Sequence, residues 1–219
     1  MSELPFANRR AAGRALAERL AASARTDETV VLGLPRGGVP VAAEIAQVLK
    51  APLDVMVVRK LGVPGHEEFA MGAIASGDIT VLDEPLIERL SIGHERLEAV
   101  IEDERRELAR REAAYRDERP YPELKGRQVI LVDDGIATGA SMRAAIQAVH
   151  RLGAERLVLA VPVAPPDTLE ALASEVDEVV YVEAPAHFRA VGQWYVDFGQ
   201  TTDDEVRACL DESMTSDHG

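Results

Sequence analysis

Residues 129–142 read VILVDDGIATGASM. The four apolar residues from Val129 to Val132 predict a central, buried strand. Two acids, Asp133 and Asp134, follow at its carboxyl end. Consecutive strand residues point to opposite faces, so both carboxylates serve one ligand only if the strand has ended before them. Gly135, Thr138, Gly139 and Ser141 then make a small-residue turn into a helix over 142–152. Glycines admit close backbone approach, and a helix start offers unpaired N–H groups and partial positive charge. The turn therefore reads as a phosphate cradle, with the Thr138 and Ser141 hydroxyls as further donors. Acids repel a phosphate but accept hydrogen bonds from a diol, and a sugar phosphate with free hydroxyls satisfies both halves. The chain has neither a GxxxxGK[ST] phosphate loop nor a GxGxxG dinucleotide fingerprint.

The pattern of the segment recurs on both sides of it. TVVLGL (29–34) reads as a strand, PRGGVP (35–40) as a glycine-rich interruption, 41–49 as a helix and 53–58 as a second buried strand. Strands at 156–162 and 178–182 are joined through a helix near 167–173. Repeated βα units predict an α/β fold, a doubly wound and mostly parallel sheet with helices on both faces. Asn8 is placed to cap a helix running to about residue 24. Residues 59–80 mix glycine, proline and charge with few core positions, which predicts a long loop or loose hairpin before a strand at 79–83. Residues 92–119 form a charged helix with one narrow stripe: Leu97, Ile101, Leu108 and Tyr115. It reads as a solvated helix laced by i,i+4 ion pairs, or as an arm that docks on a partner subunit. Thr202 and Glu205 form a capping box for a short last helix, and a disordered tail is expected over 213–219.

Composition narrows the function. The chain has 219 residues, enough for one sizeable core, and is read as a single domain over 1–219. A formal charge of −14, from 24 basic and 38 acidic residues, argues against gripping nucleic acid as the main task. The lone Cys209 suits a reducing compartment, with no internal disulfide framework. No apolar run approaches the ~20 residues of a membrane span, and the first residues lack a secretory h-region, so a cytoplasmic protein is expected.

The 129–142 segment resembles the PRPP (5-phosphoribosyl 1-pyrophosphate) motif of the type I phosphoribosyltransferases: four apolar residues, two acids, then a GxxTGxS turn. The likeness extends in order and spacing over about residues 29–183, taken as the core. It also covers a group of bacterial predicted phosphoribosyltransferases of undefined acceptor. The resemblance implies that Asp133 and Asp134 hold the ribose hydroxyls, and that Gly135, Ile136, Ala137, Thr138, Gly139, Ala140 and Ser141 bind the 5-phosphate. LPRGG (34–38) sits where the family places its pyrophosphate loop, so Pro35, Gly37 and Gly38 would bind PRPP and Arg36 would act on the leaving group. VRKLGVPG (58–65) looks like the start of the family's mobile loop, which would bring Lys60 to the pyrophosphate with Arg59 nearby. Glu67 and Glu68 in that loop are candidate acid/base groups. Ala137 stands where the 6-oxopurine enzymes carry an aspartate, which argues against a 6-oxopurine acceptor.

The resemblance also implies an activity. A PRPP-dependent, Mg²⁺-dependent transferase would pass the phosphoribosyl group to a nitrogenous acceptor, such as a nucleobase, through an oxocarbenium-like transition state. Mg²⁺ would ride on the phosphates of PRPP rather than in a protein cage. Closure over 60–77 would keep water from the cation. A hood built from 1–28, 84–124 or 185–210 would choose the acceptor; Phe188, Trp194, Tyr195 and Phe198 there either stack on a base or pack as core. The alternatives are a PRPP-binding regulator without turnover and a hydrolase with water as acceptor. A homo-oligomer through the charged helix is the remaining expectation.

Overall fold

Parallel strands covered on both faces read as unbroken apolar runs. The computed structural model describes residues 4–22, 28–117 and 119–216 and sets three such runs, at 29–33, 128–132 and 156–163, at the centre of a five-stranded sheet whose edge strands are only partly buried. In chain order the strands are β1 (Thr29–Gly33), β2 (Leu53–Val55), β3 (Val58–Val63), β4 (His66–Ala75), β5 (Ile79–Leu82), β6 (Gln128–Val132), β7 (Arg156–Val163) and β8 (Glu178–Glu183). The helices are α1 (Arg9–Leu20), α2 (Gly38–Leu49), α3 (Glu84–Arg89), α4 (His94–Arg116), α5 (Ala140–Arg151), α6 (Pro166–Ala173) and α7 (Asp203–Ser216).

The main sheet has the order β2-β1-β6-β7-β8, and every pair is parallel. Alternation along β6 serves two cores. Val129 and Leu131 pack with Met142, Ile146 and Val149 of α5 and Leu169 and Leu172 of α6. Ile130 and Val132 pack on the opposite face with Leu16 and Leu20 of α1 and Val41 and Ile45 of α2. This is the doubly wound arrangement expected from the sequence.

The 53–58 run is not one strand. It divides after Val55, and β3 leaves to start a second sheet, β3-β4-β5, that is antiparallel throughout. The stretch read as a loop or loose hairpin is an ordered hairpin with a ten-residue second strand. Its core positions are sparse in sequence but complete in space. Leu61, Val63, Met71 and Ile74 are buried with Leu97, Ile101, Leu108 and Tyr115 of α4 and Val206 and Leu210 of α7. The apolar stripe of the charged helix is thus covered by its own chain. The polar face of α4 carries the expected i,i+4 pairs, Arg106 with Glu102 and Arg111 with Glu107.

Asn8 does cap α1, its side chain accepting from Ala11 N at 2.9 Å, but the helix ends at Leu20; residues 23–27 lie outside the described ones. The Thr202–Glu205 box forms reciprocally, with Thr202 N to Glu205 Oε2 at 2.6 Å and Glu205 N to Thr202 Oγ1 at 3.1 Å. The helix it opens runs through Ser216, so only 217–219 of the tail expected to be disordered lie outside the described residues. The short α3 has no counterpart in the sequence reading.

Candidate active site

The strand β6 stops at Val132, which releases both acids from the alternation of a strand. Leu34 N donates to Val132 O at 2.9 Å, so the exits of β1 and β6 lie together. The turn after β1 is pressed against the acids. A Cβ on Gly38 would stand 2.7 Å from Val132 O and 2.9 Å from Asp133 Cα. One on Gly37 would stand 2.1 Å from Asp134 Oδ2. Gly38 is thus required by the backbone beside it, whereas a side chain on Gly37 would displace the Asp134 carboxylate and Arg9. The Pro35–Arg36 peptide in the same turn is cis.

Asp133 Oδ1 accepts the Asp134 N–H at 2.8 Å. Its carboxyl is pushed well above the usual carboxylate range, first by desolvation and then by the adjacent Asp134 charge. Asp134 has a partner that sequence reasoning missed. Arg9, the first residue of α1, donates from Nε to Oδ2 at 2.8 Å, with the two side chains only 12% and 14% exposed. Arg9 also donates to Gly199 O at 2.6 Å and lies 4.1 Å above the Phe198 ring. Phe198 stacks on Tyr195 at 5.0 Å, and the Tyr195 hydroxyl donates to Asp134 O at 2.5 Å. Burial, followed by the Asp134 charge, pushes the Tyr195 phenol up. Of the aromatic segment, Tyr195 is core while Phe198 is exposed. No local signal marks Arg9, because its acid lies 125 residues away.

The glycine turn is held from outside. Ile136 N donates to Val163 O at 3.1 Å, and Thr168 Oγ1 donates to Ala137 O at 2.9 Å. Gly139, the residue before α5, has φ +80°, a conformation suited to glycine. Among the described residues the amides of Gly135, Ala137, Thr138 and Gly139 donate to nothing. Ala140 and Ser141 open α5, where first-turn N–H groups lack helical acceptors. The side chains of Thr138 and Ser141 are exposed. Free donors and an acid pair thus flank the end of one strand.

The remaining predicted residues are spread more widely. Arg36 Nη1 lies 3.8 Å from Asp203 at the start of α7, and its side chain lines a cavity with residues of α4. Arg59 and Lys60 are neighbours on β3 and so take opposite faces. Arg59 Nε donates to Glu104 of α4 at 2.7 Å. Lys60 is exposed, on the same face as Val58, which packs on the α5 core. Glu67 and Glu68 are exposed near the hairpin tip with local partners, the Gly65 amide at 3.4 Å and His66 at 3.8 Å.

A doubly wound sheet with these features at the carboxyl end of its central strand defines a protein of the type I phosphoribosyltransferase fold. The comparison with known proteins agrees: residues 6–198 match the phosphoribosyl transferase domain, and the chain belongs to that family. Two curated proteins, from two strains of Mycobacterium tuberculosis and named provisionally as phosphoribosyl transferases, are 49% identical over 208 residues, 95% of this chain. The chain spans about half of those relatives, 47% of their length. The crystal structure of TT1426 from Thermus thermophilus is similar at 47% identity and a TM-score of 0.84, covering 94% of this chain and 98% of that one.

Proposed function

We propose that the protein is a PRPP-dependent phosphoribosyltransferase that delivers the phosphoribosyl group to a nitrogenous acceptor and releases pyrophosphate. The observation that carries this reading is the juxtaposition at the end of β6: two carboxylates beyond the strand, and a glycine turn whose amides have no acceptor among the described residues. Asp133 and Asp134 take the ribose hydroxyls, and residues 135–141 take the 5-phosphate. The close approach of Gly37 and Gly38 to the two acids supports a 35–38 turn whose backbone serves the leaving group of a pentose held by those acids.

Positive charge grows on the sugar and negative charge on pyrophosphate as the anomeric bond breaks. Donors fixed around the leaving group therefore stabilise the transition state more than the ground state. Arg36, Lys60 and the 35–38 amides fill that role. Asp134 is already held by Arg9 and the Asp133 carboxyl is pushed above the usual range, so the acids fit ribose hydroxyls better than a metal, and Mg²⁺ would arrive carried by the phosphates of PRPP. When bound, that ion neutralises charge on the leaving group. The β3–β4 hairpin carries Lys60 and, at its tip, Glu67 and Glu68; closing it over the site excludes water and brings the two acids toward the acceptor.

One contact favours a second reading, a PRPP-binding regulator. Arg9 already holds Asp134, and a ribose hydroxyl has to share or displace that contact, which couples ligand binding to the position of α1. An acceptor panel with labelled PRPP and Mg²⁺ separates the two. The transferase releases pyrophosphate with one acceptor class, and Lys60→Ala lowers that turnover about 10²–10³-fold, the usual effect of losing one such donor. Tight PRPP binding with no release across the panel identifies the regulator, and release with water alone identifies a hydrolase.

A further inference from the structure

Arg36 lies beside α4 and α7, and two arginines next to it, Arg110 and Arg111, have no part in the transferase reading above. Arg36, Arg110, Arg111, Ala114, Tyr115 and Asp203 line a cavity of about 170 Å³ between the turn after β1, the second half of α4 and the start of α7. Its balance of charge is unusual in a chain of net charge −14. Three arginines line it, while the acids touching them are Asp203, at 3.8 Å from Arg36, and Glu107, which is shared by Arg110 at 2.7 Å and Arg111 at 3.0 Å. One carboxylate serving two arginines leaves donors of both unused, because each guanidinium offers five N–H groups.

We propose that Arg36, Arg110 and Arg111 form an oxyanion subsite that binds a phosphate or pyrophosphate group. A cavity of about 170 Å³ has room for such an anion. Guanidinium forks match phosphate oxygens in pairs, which a lysine cluster would not do. The groups are placed by different elements. Arg110 and Arg111 stand on a helix whose apolar stripe is fixed in the core, and Arg36 stands on the glycine turn, so an anion bound between them ties α4 to that turn. The anion has two sources, the pyrophosphate end of PRPP or a free phosphate acting as effector. The link to PRPP rests on the transferase reading; binding of a free anion does not.

The test is calorimetry with inorganic pyrophosphate, inorganic phosphate, ribose 5-phosphate and PRPP on the full chain and on Arg110→Ala/Arg111→Ala. Arg105→Ala/Arg106→Ala is the control, since those arginines lie on the same helix and face Asp78, Glu102 and Asp103 instead. The subsite predicts that the 110/111 variant loses at least tenfold in affinity for pyrophosphate or phosphate, while the control changes less than twofold. Weakened PRPP with unchanged ribose 5-phosphate assigns the anion to PRPP; unchanged PRPP with weakened phosphate assigns it to an effector. Equal losses in both double variants would show a general field effect, and no loss in either would show a surface ion-pair network; each overturns the proposal. A protein that binds pyrophosphate here yet never binds PRPP would retain the subsite and refute the transferase.

Discussion

Asp133 is the residue at which stability and function oppose each other most directly. Its folded-state pKa is raised, by desolvation first and Asp134 second. The folded protein therefore holds this proton more tightly than the unfolded chain does. The stabilising contribution is complete below about pH 4, the unfolded value, and is lost as pH rises through the folded value. Asn at this position keeps the acceptor for the Asp134 amide and removes the titration. Asp133→Asn without ligand is expected to melt higher than the parent at pH 7, by about 2–4 °C per kcal/mol released, with the gain fading toward pH 4. The same difference in melting temperature at both pH values would contradict this linkage. Arg9 offsets part of the same repulsion, its charge lowering the pKa of Asp133. That is a contact no sequence pattern announces, because it joins the first residue of a helix to a turn 125 residues on.

At the scale of elements, legibility follows how burial is arranged. The parallel strands are readable because both faces are covered, so β1, β6 and β7 are apolar at successive positions. The hairpin is not. Leu61, Val63, Met71 and Ile74 are separated by charges and glycines, and their burial comes from α4 and α7, elements distant in the chain. Gly72 shows why glycine there marks order rather than looseness: a Cβ would stand 2.3 Å from Val81 O on the neighbouring strand. The site divides in the same way. The acids and the glycine turn are contiguous and legible, whereas the Arg9 latch, the Thr168 contact to the turn and the arginines of α4 are assembled by tertiary packing. Helix α1, which carries Arg9, is seated by Gly13, whose Cβ would stand 2.6 Å from Val41 O of α2. Gly13→Ala pushes α1 off α2 and is expected to cost about 1–3 kcal/mol despite alanine's better helix propensity, read by urea unfolding at unchanged m-value. A neutral or stabilising result would show that α1 is not held at that crossing.

Across the whole molecule, three packed clusters meet at the carboxyl end of the central strands. One lies on each face of the main sheet, and a third joins the hairpin sheet to α4 and α7. The hairpin sheet is packed on two sides, through Leu61, Met71 and Ile74 against α4 and α7 and through Val58, Ala75 and Ile79 against the α5 cluster, so its base is anchored beside the cradle. No helix among the described residues is long and apolar enough to cross a membrane. The central claim is that a carboxylate pair and unpartnered amides together grip an activated pentose phosphate. Titration of PRPP with Mg²⁺ into the parent protein and into Asp133→Asn/Asp134→Asn measures it most directly. Saturable binding to the parent is predicted, with a loss of about 3–6 kcal/mol in the double variant, from two charged hydrogen-bond acceptors at ~1.5–3 kcal/mol each. Equal affinity in the two proteins, or no binding to the parent at millimolar PRPP, would contradict it.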